Sequence, residues 1–106
     1  MRRATGGILL VEDDELLASA LVELLGSRGE VRWATSGEQA VQLSDDSDWD
    51  LIVSDVELPG MSGLDLVRRL KADHPLAATL ILSSHASFDY AVAALRAGAD
   101  DYMTKP

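Results

Sequence analysis

Cysteine is absent from the 106 residues, which excludes a disulfide framework and thiolate chemistry and fits a cytoplasmic setting. Positive charge is scarce: 9 Lys and Arg stand against 18 Asp and Glu, a net charge of -9. Such a surface repels phosphates, so neither nucleic acid nor an anionic membrane is an expected partner of this segment. Long hydrophobic runs are missing as well. The apolar run Ile8–Val11 follows Arg2 and Arg3 but is too short for a signal peptide and ends in acids. No stretch approaches the length of a transmembrane helix. No glycine-rich loop follows any strand-like run, which counts against a nucleotide-binding domain. No linker, low-complexity segment or internal repeat divides the chain. What remains is 47% hydrophobic and 25% charged, the composition of one globular domain with one core.

The order of elements follows from periodicity. Residues 1 to 6 read as an unstructured lead-in. Ile8–Val11, Leu51–Ser54 and Thr79–Ser83 are strand-length apolar runs, as expected of strands buried on both faces of a parallel sheet. Val31–Trp33 alternates apolar and polar residues and reads as an edge strand, and Asp101–Met103 as a short fifth strand. Between them the spacing predicts four helices. The first spans about Asp14 to Gly26, with Leu17, Leu21, Leu24 and Leu25 at helical intervals. The second opens on the capping-box pattern Ser36-Gly-Glu-Gln39 and turns Ala40, Val41 and Leu43 inward. Ser62 caps the third, which packs through Leu64, Val67 and Leu70 and stops at His74-Pro75. Ser87 caps the fourth, which packs through Phe88, Ala91, Val92 and Leu95 and stops at Gly98. Five strands alternating with four helices imply a doubly wound α/β sheet with right-handed crossovers. Because no helix follows the last strand, one face is expected to be under-covered on the fifth-strand side.

Parallel strands bring four chemical features to one sheet edge: Glu12-Asp13, Asp55, Ser83 and Lys105. Each has an ordinary reading alone: a helix start, a turn, a satisfied hydroxyl, a surface lysine. Together they make a site. Three acids in one crevice repel one another unless a cation joins them, and oxygen ligands with several waters suit Mg²⁺. Asp55, mounted between the third strand and the turn Pro59-Gly60, is the candidate nucleophile for a phosphoryl group. The metal and Lys105 would neutralise charge on the transferring oxygens, and Ser83 would bond the group once in place.

These residues carry a resemblance. ILLVEDD at 8–14, LIVSDVELPGMSG at 51–63, LILSSHAS at 80–87 and AGADDYMTKP at 97–106 resemble the receiver domain of bacterial two-component response regulators, over about residues 7 to 106. The resemblance implies a flavodoxin-like five-stranded sheet of order 2-1-3-4-5, lacking the fifth helix of the family as the sequence stands. It implies a single receiver unit in which Asp55 takes a phosphoryl group from a sensor histidine kinase or phosphotransfer protein. Asp13 and Asp55 would ligate Mg²⁺ directly, Glu12 through water, and Glu57 through its main-chain carbonyl. Ser83 would be the switch hydroxyl, Tyr102 the switch aromatic, and Lys105 would join Pro106 by a cis peptide bond. Glu57 and His85 are expected to border the pocket and tune the lifetime of the phosphoryl group. Asp100 and Asp101 resemble charges that pair across dimers in some receiver subfamilies. A homodimer through the face of the fourth helix and fifth strand, or through the uncovered face, is a further expectation.

The pattern departs from the family in places. Position 12 is Glu where Asp is common, position 83 is Ser rather than Thr, and Ser84 stands where Ala is usual. The implied activity is that of a phosphoacceptor regulatory domain with weak self-catalysed transfer and dephosphorylation, not an enzyme. A Rossmann-like aspartyl-phosphate phosphatase would want its nucleophile after the first strand. A degenerate receiver, acting only as a binding module, would lack part of the site set.

Overall fold

A computed structural model of the chain describes residues 7–45, 47–84 and 88–105. His85, Ser87 and Pro106, with the expected cis bond, lie outside the described residues. The elements run β1 (Gly7–Val11), α1 (Glu15–Leu25), β2 (Glu30–Ala34), α2 (Gly37–Ser44), β3 (Leu51–Asp55), α3 (Gly63–Asp73), β4 (Ala78–Ser83), α4 (Phe88–Arg96) and β5 (Asp101–Thr104). All strands are parallel, in the order β2-β1-β3-β4-β5. The continuous apolar runs occupy the centre: every residue of β1 is buried, as is β3 from Ile52 onward. The alternating β2 and the short β5 take the two edges. Strand order reverses between β1 and β3, and ligands of such sheets bind beyond the carboxyl ends of the strands at that point.

Local chemistry sets the helix ends. The carboxylate of Asp14 accepts from the Leu16 and Leu17 amides, Ser36 Oγ from Gln39 N, and Ser62 Oγ from Asp65 N. The capping box at Ser36 differs from expectation in one respect. Gln39 reaches back to Thr35, accepting from its amide at 2.7 Å and its hydroxyl at 3.0 Å, rather than to the amide of Ser36. Gly98 follows α4 with φ +106°, a conformation that side chains disfavour.

Side chains alternate across the sheet. Leu9, Val11, Ile52 and Ile81 face the layer of α2, α3 and α4, while Leu10, Val53 and Leu82 face α1. Leu21 and Leu25 of α1 pack against the core as predicted and Leu17 is half-buried, but two helix faces differ in part from expectation. In α1 the fully buried residue is Ala18, and Leu24 is 68% exposed. In α4 the buried residue is Ala94, and Phe88 and Leu95 are exposed. On the α1 side Leu51 and Leu80 are only half-buried and Met103 is exposed, so cover is thinnest toward β5. Among the described residues no helix is long and apolar enough to cross a membrane.

Asp100 is engaged within its own chain. Its Oδ2 accepts from the buried Thr79 amide at 2.8 Å and from Lys71 Nζ at 3.1 Å. These bonds, the Thr79 amide first and Lys71 next, hold its carboxyl below the ordinary value. A depressed folded-state value contributes stability that is present above the unfolded value and lost as pH falls through the folded one. Asp100→Asn keeps the acceptor for Thr79 and removes the charge. With screening of this exposed group allowed for, the variant should lose roughly 0.5 kcal/mol at neutral pH. The gap should close as pH drops below about 4. Urea midpoints of both proteins across that range measure it; a gap independent of pH would refute the charge assignment.

Candidate functional site

The carboxyl ends of β1, β3, β4 and β5 deliver the predicted residues to one edge of the sheet. Glu12 follows β1 with its backbone still in the sheet, its amide donating to Ala34 O at 3.0 Å. Its side chain is 1% exposed, whereas Asp13 turns outward and is exposed. Asp55 closes β3 and is 3% exposed. Two backbone bonds just beyond it fix its mount: Val56 N donates to Leu82 O and Gly63 N to Val56 O, both at 2.9 Å. Lys105 is carried in by β5, its amide donating to Ser83 O at 2.7 Å.

The charges converge on Lys105. Its ammonium donates to Asp55 Oδ2 at 2.9 Å and lies 3.0 Å from Glu12 Oε1. The second contact is an ion pair without hydrogen-bond alignment, so Oε1 remains a buried oxygen with no hydrogen-bond partner among the described residues. Burial pushes the Glu12 carboxyl above its ordinary value, against the Asp14 amide and Lys105, and the charge of Asp55 adds to the rise. Burial alone would lower the Lys105 ammonium. Its bonds and charge interactions with Asp55 and Glu12 outweigh that and raise it. The other oxygen of Asp55, Oδ1, accepts from Glu57 N at 3.1 Å.

Carboxylate oxygens of Glu12, Asp13 and Asp55 lie within 4.8 Å of one another. One ammonium cannot neutralise three carboxylates. A buried carboxylate oxygen met only by an ion pair, an exposed carboxylate beside it and a set of hard oxygen donors together fit a small divalent cation. A hollow of about 350 Å³ lies elsewhere, lined by Asp48, Trp49, His74 and Leu76 among others, and no acid of the site borders it.

Ser83 is fully buried at the end of β4, opposite Thr104 in the β4–β5 register. Tyr102, paired with Ile81, is half-buried and packs against Val56, Val67, Ile81, Ala94 and Ala99. Glu57 is exposed, and its Oε1 accepts from Ser84 Oγ at 3.2 Å. In the sequence Ser84 reads only as a small residue; its hydroxyl in fact donates to the acid two residues past Asp55. A hydroxyl directly before His85, just past the end of the strand beside Asp55, is the one signal that points to it. The expected role of His85 falls outside the described residues.

Comparison with known proteins agrees with this geometry. The chain is 41% identical over 100 residues to the cell cycle transcriptional regulator CtrA of Caulobacter vibrioides, covering 93% of the chain and 43% of that regulator. The chain thus spans less than half the length of such relatives. Among solved structures it superposes on a Burkholderia pseudomallei response regulator with a phosphorylated aspartic acid, calcium ion and citrate. The TM-score is 0.89 and the identity 35%, over 95% of this chain and 60% of that one. It also superposes on the Thermotoga maritima response regulator TrrA in complex with Mg²⁺-BeF, with TM-score 0.84 and 28% identity, over 96% and 88% of the two chains. The sequence model of the response regulator receiver domain matches residues 8–106, and on that match the chain belongs to the receiver domains, which are regulatory modules of two-component signalling.

Proposed function

We propose that the chain is a phosphorylation-operated switch in which Asp55 accepts a phosphoryl group from a phosphohistidine of a sensor histidine kinase or phosphotransfer protein in the cytoplasm. The observation that carries this reading is the convergence of Lys105 and two further acids on a buried strand-end carboxylate. An Asp55 oxygen attacks phosphorus, the bond to the donor nitrogen breaks, and the electron pair leaves with the imidazole. Glu57 N–H and Lys105 each hold one of the two Asp55 oxygens, so the carboxylate is oriented before the donor arrives. Mg²⁺ would be held by Asp13 and Asp55, by Glu12 through water and by the Glu57 carbonyl, and when bound it supplies positive charge to the transferring oxygens. The ions in the Burkholderia and Thermotoga structures support that assignment.

After transfer, Lys105 balances the new charge and Ser83 donates to a phosphoryl oxygen. Tyr102 turns toward the space Ser83 leaves, which changes the surface of α4 and β5 that a partner or output domain reads. Residues 1–106 form one receiver unit. A second copy would dock through the α4–β5 surface or the side of the sheet where Met103 is exposed. The domain promotes its own phosphorylation and dephosphorylation weakly, and Glu57 and His85 tune the lifetime of the phosphoryl group.

Incubation with a small phosphodonor tests the reading. Intact mass should show one added phosphoryl group in the presence of Mg²⁺. A chelator should slow the gain by about 100-fold or more, the order expected for losing transition-state charge stabilisation. A folded chain that gains nothing would instead be a binding module that does not depend on phosphorylation.

A further inference from the structure

Strand β1 ends at Val11, but its neighbour β2 continues to grip the next residue. The Glu12 amide donates to Ala34 O, and the Glu12 carbonyl accepts from the indole Nε1 of Trp33 at 2.7 Å. Both halves of Glu12's backbone are thereby held by two consecutive residues of β2. Trp33 stands opposite Leu10 in the register and packs half-buried against the cluster of Leu10 and Ala18. A bicyclic ring held this way has little rotational freedom, so its N–H is a fixed donor.

The carbonyl it holds belongs to the peptide joining the two acids of the site. Glu12 has other anchors, since its carboxylate accepts from Asp14 N at 3.1 Å and pairs with Lys105. The exposed carboxylate of Asp13 has no hydrogen bond among the described residues, so the backbone is what fixes where its side chain is rooted and which rotamers reach Asp55. Rotation of the Glu12–Asp13 peptide would swing Asp13 away from Asp55. We propose that Trp33 is a positioning residue for the metal-holding acids, acting through the Glu12–Asp13 peptide, and that its indole reports occupancy of the site. This rests on the proposed Mg²⁺ site and goes beyond it, because Trp33 touches neither the metal nor the phosphoryl group.

The test uses Mg²⁺ itself. Trp33→Phe keeps an aromatic ring and removes the donor, and it should weaken Mg²⁺ binding about 5- to 10-fold by calorimetry, in line with lost support behind a metal ligand. Benzothienylalanine at position 33 keeps the bicycle without the N–H and should show the same loss with an unchanged circular dichroism melt. The chain has two tryptophans. Trp49 is buried in a separate cluster and donates to Ser44 O, so Trp49→Phe leaves Trp33 as the single tryptophan emitter. Emission of that variant should change with Mg²⁺ at the calorimetric midpoint, while Trp33→Phe should emit independently of Mg²⁺. If both position-33 variants bind within about 2-fold of wild type, Trp33 has no positioning role. The Asp55 reading would still stand, provided Asp13→Asn abolishes binding. If the wild type neither releases heat nor changes emission with Mg²⁺, the site and the role of Trp33 both fall.

Discussion

Asp55→Asn should leave the chain folded and reduce phosphoryl uptake to below about 1% of wild type, the scale on which loss of a covalent nucleophile acts. The amide is close in shape to the carboxylate. Its oxygen can still accept from Glu57 N–H, where Asp55 Oδ1 accepts now. What disappears is the nucleophile and one negative charge. Lys105, now bonded to Asp55 Oδ2 and paired with Glu12, then has Glu12 as its remaining close carboxylate. With one member of the three-acid cluster gone, Mg²⁺ affinity should also fall about 10-fold or more. Intact mass after reaction with a small phosphodonor measures the first effect and calorimetry the second. Circular dichroism shows whether the variant has kept its fold. A folded variant that still gains one phosphoryl group would move the acceptor elsewhere and overturn the assignment. Wild-type Mg²⁺ affinity in a variant that cannot be phosphorylated would separate the two roles and leave Asp13 and Glu12 as the metal's holders.

The strand ends are legible in the sequence because burial and chemistry change at the same residue. β1 and β3 are apolar runs that stop at Glu12 and at Asp55, and in a parallel sheet every such stop lies on one edge. The helix faces are harder to read, for a reason visible in α1 and α4. Each helix fully buries an alanine, Ala18 or Ala94. Large apolar residues nearby are left outside: Leu16 and Leu24 in α1, Phe88 and Leu95 in α4. A pattern weighted toward large side chains therefore finds part of the stripe, as with Leu21 and Leu25, and overlooks the small residue at its centre. The supporting contacts are illegible for a different reason. Trp33 reaches Glu12 across 21 residues, Asp100 reaches Thr79 across 21, and Ser84 reaches Glu57 across 27. No local spacing encodes such meetings; they follow from strand order and register. The same holds for Asp100, whose bonds to Thr79 and Lys71 of its own chain nothing in its local sequence announces.

Gly63→Ala should be the most destabilising single-methyl change in this region, and the cause is space rather than backbone conformation. Gly63 opens α3 and is buried, and its amide donates to Val56 O at 2.9 Å. A Cβ there would sit 2.1 Å from Asp55 O, 2.6 Å from Val56 Cα and 2.9 Å from Asp55 C. All three are backbone atoms of the end of β3 and the residue after it, so no side chain can swing aside. Either α3 shifts off the sheet or the Asp55–Val56 peptide moves, and that peptide sets where the phosphoacceptor carboxylate points. Overpacking against immovable backbone should cost about 3 kcal/mol, roughly 15 °C in melting midpoint for a domain of this size. Gly37→Ala is the matched control, since it too opens a helix. Its Cβ would meet the side chain of Met61 at 3.0 to 3.4 Å. The thioether sulfur and Cγ can turn aside, Met61 Cβ at 3.0 Å needs a shift of a few tenths of an ångström in its loop, and Ala favours helix over Gly, so the net change there should stay within about 1 kcal/mol. Thermal melts of the two variants beside wild type make the comparison. Phosphoryl uptake should fall in Gly63→Ala even at temperatures where the variant is folded, because the strain lies in the backbone that carries Asp55. Equal midpoints for Gly63→Ala and wild type would mean that α3 does not rest on the Asp55 carbonyl. The close packing that mounts the acid would then have to be sought elsewhere in the sheet edge.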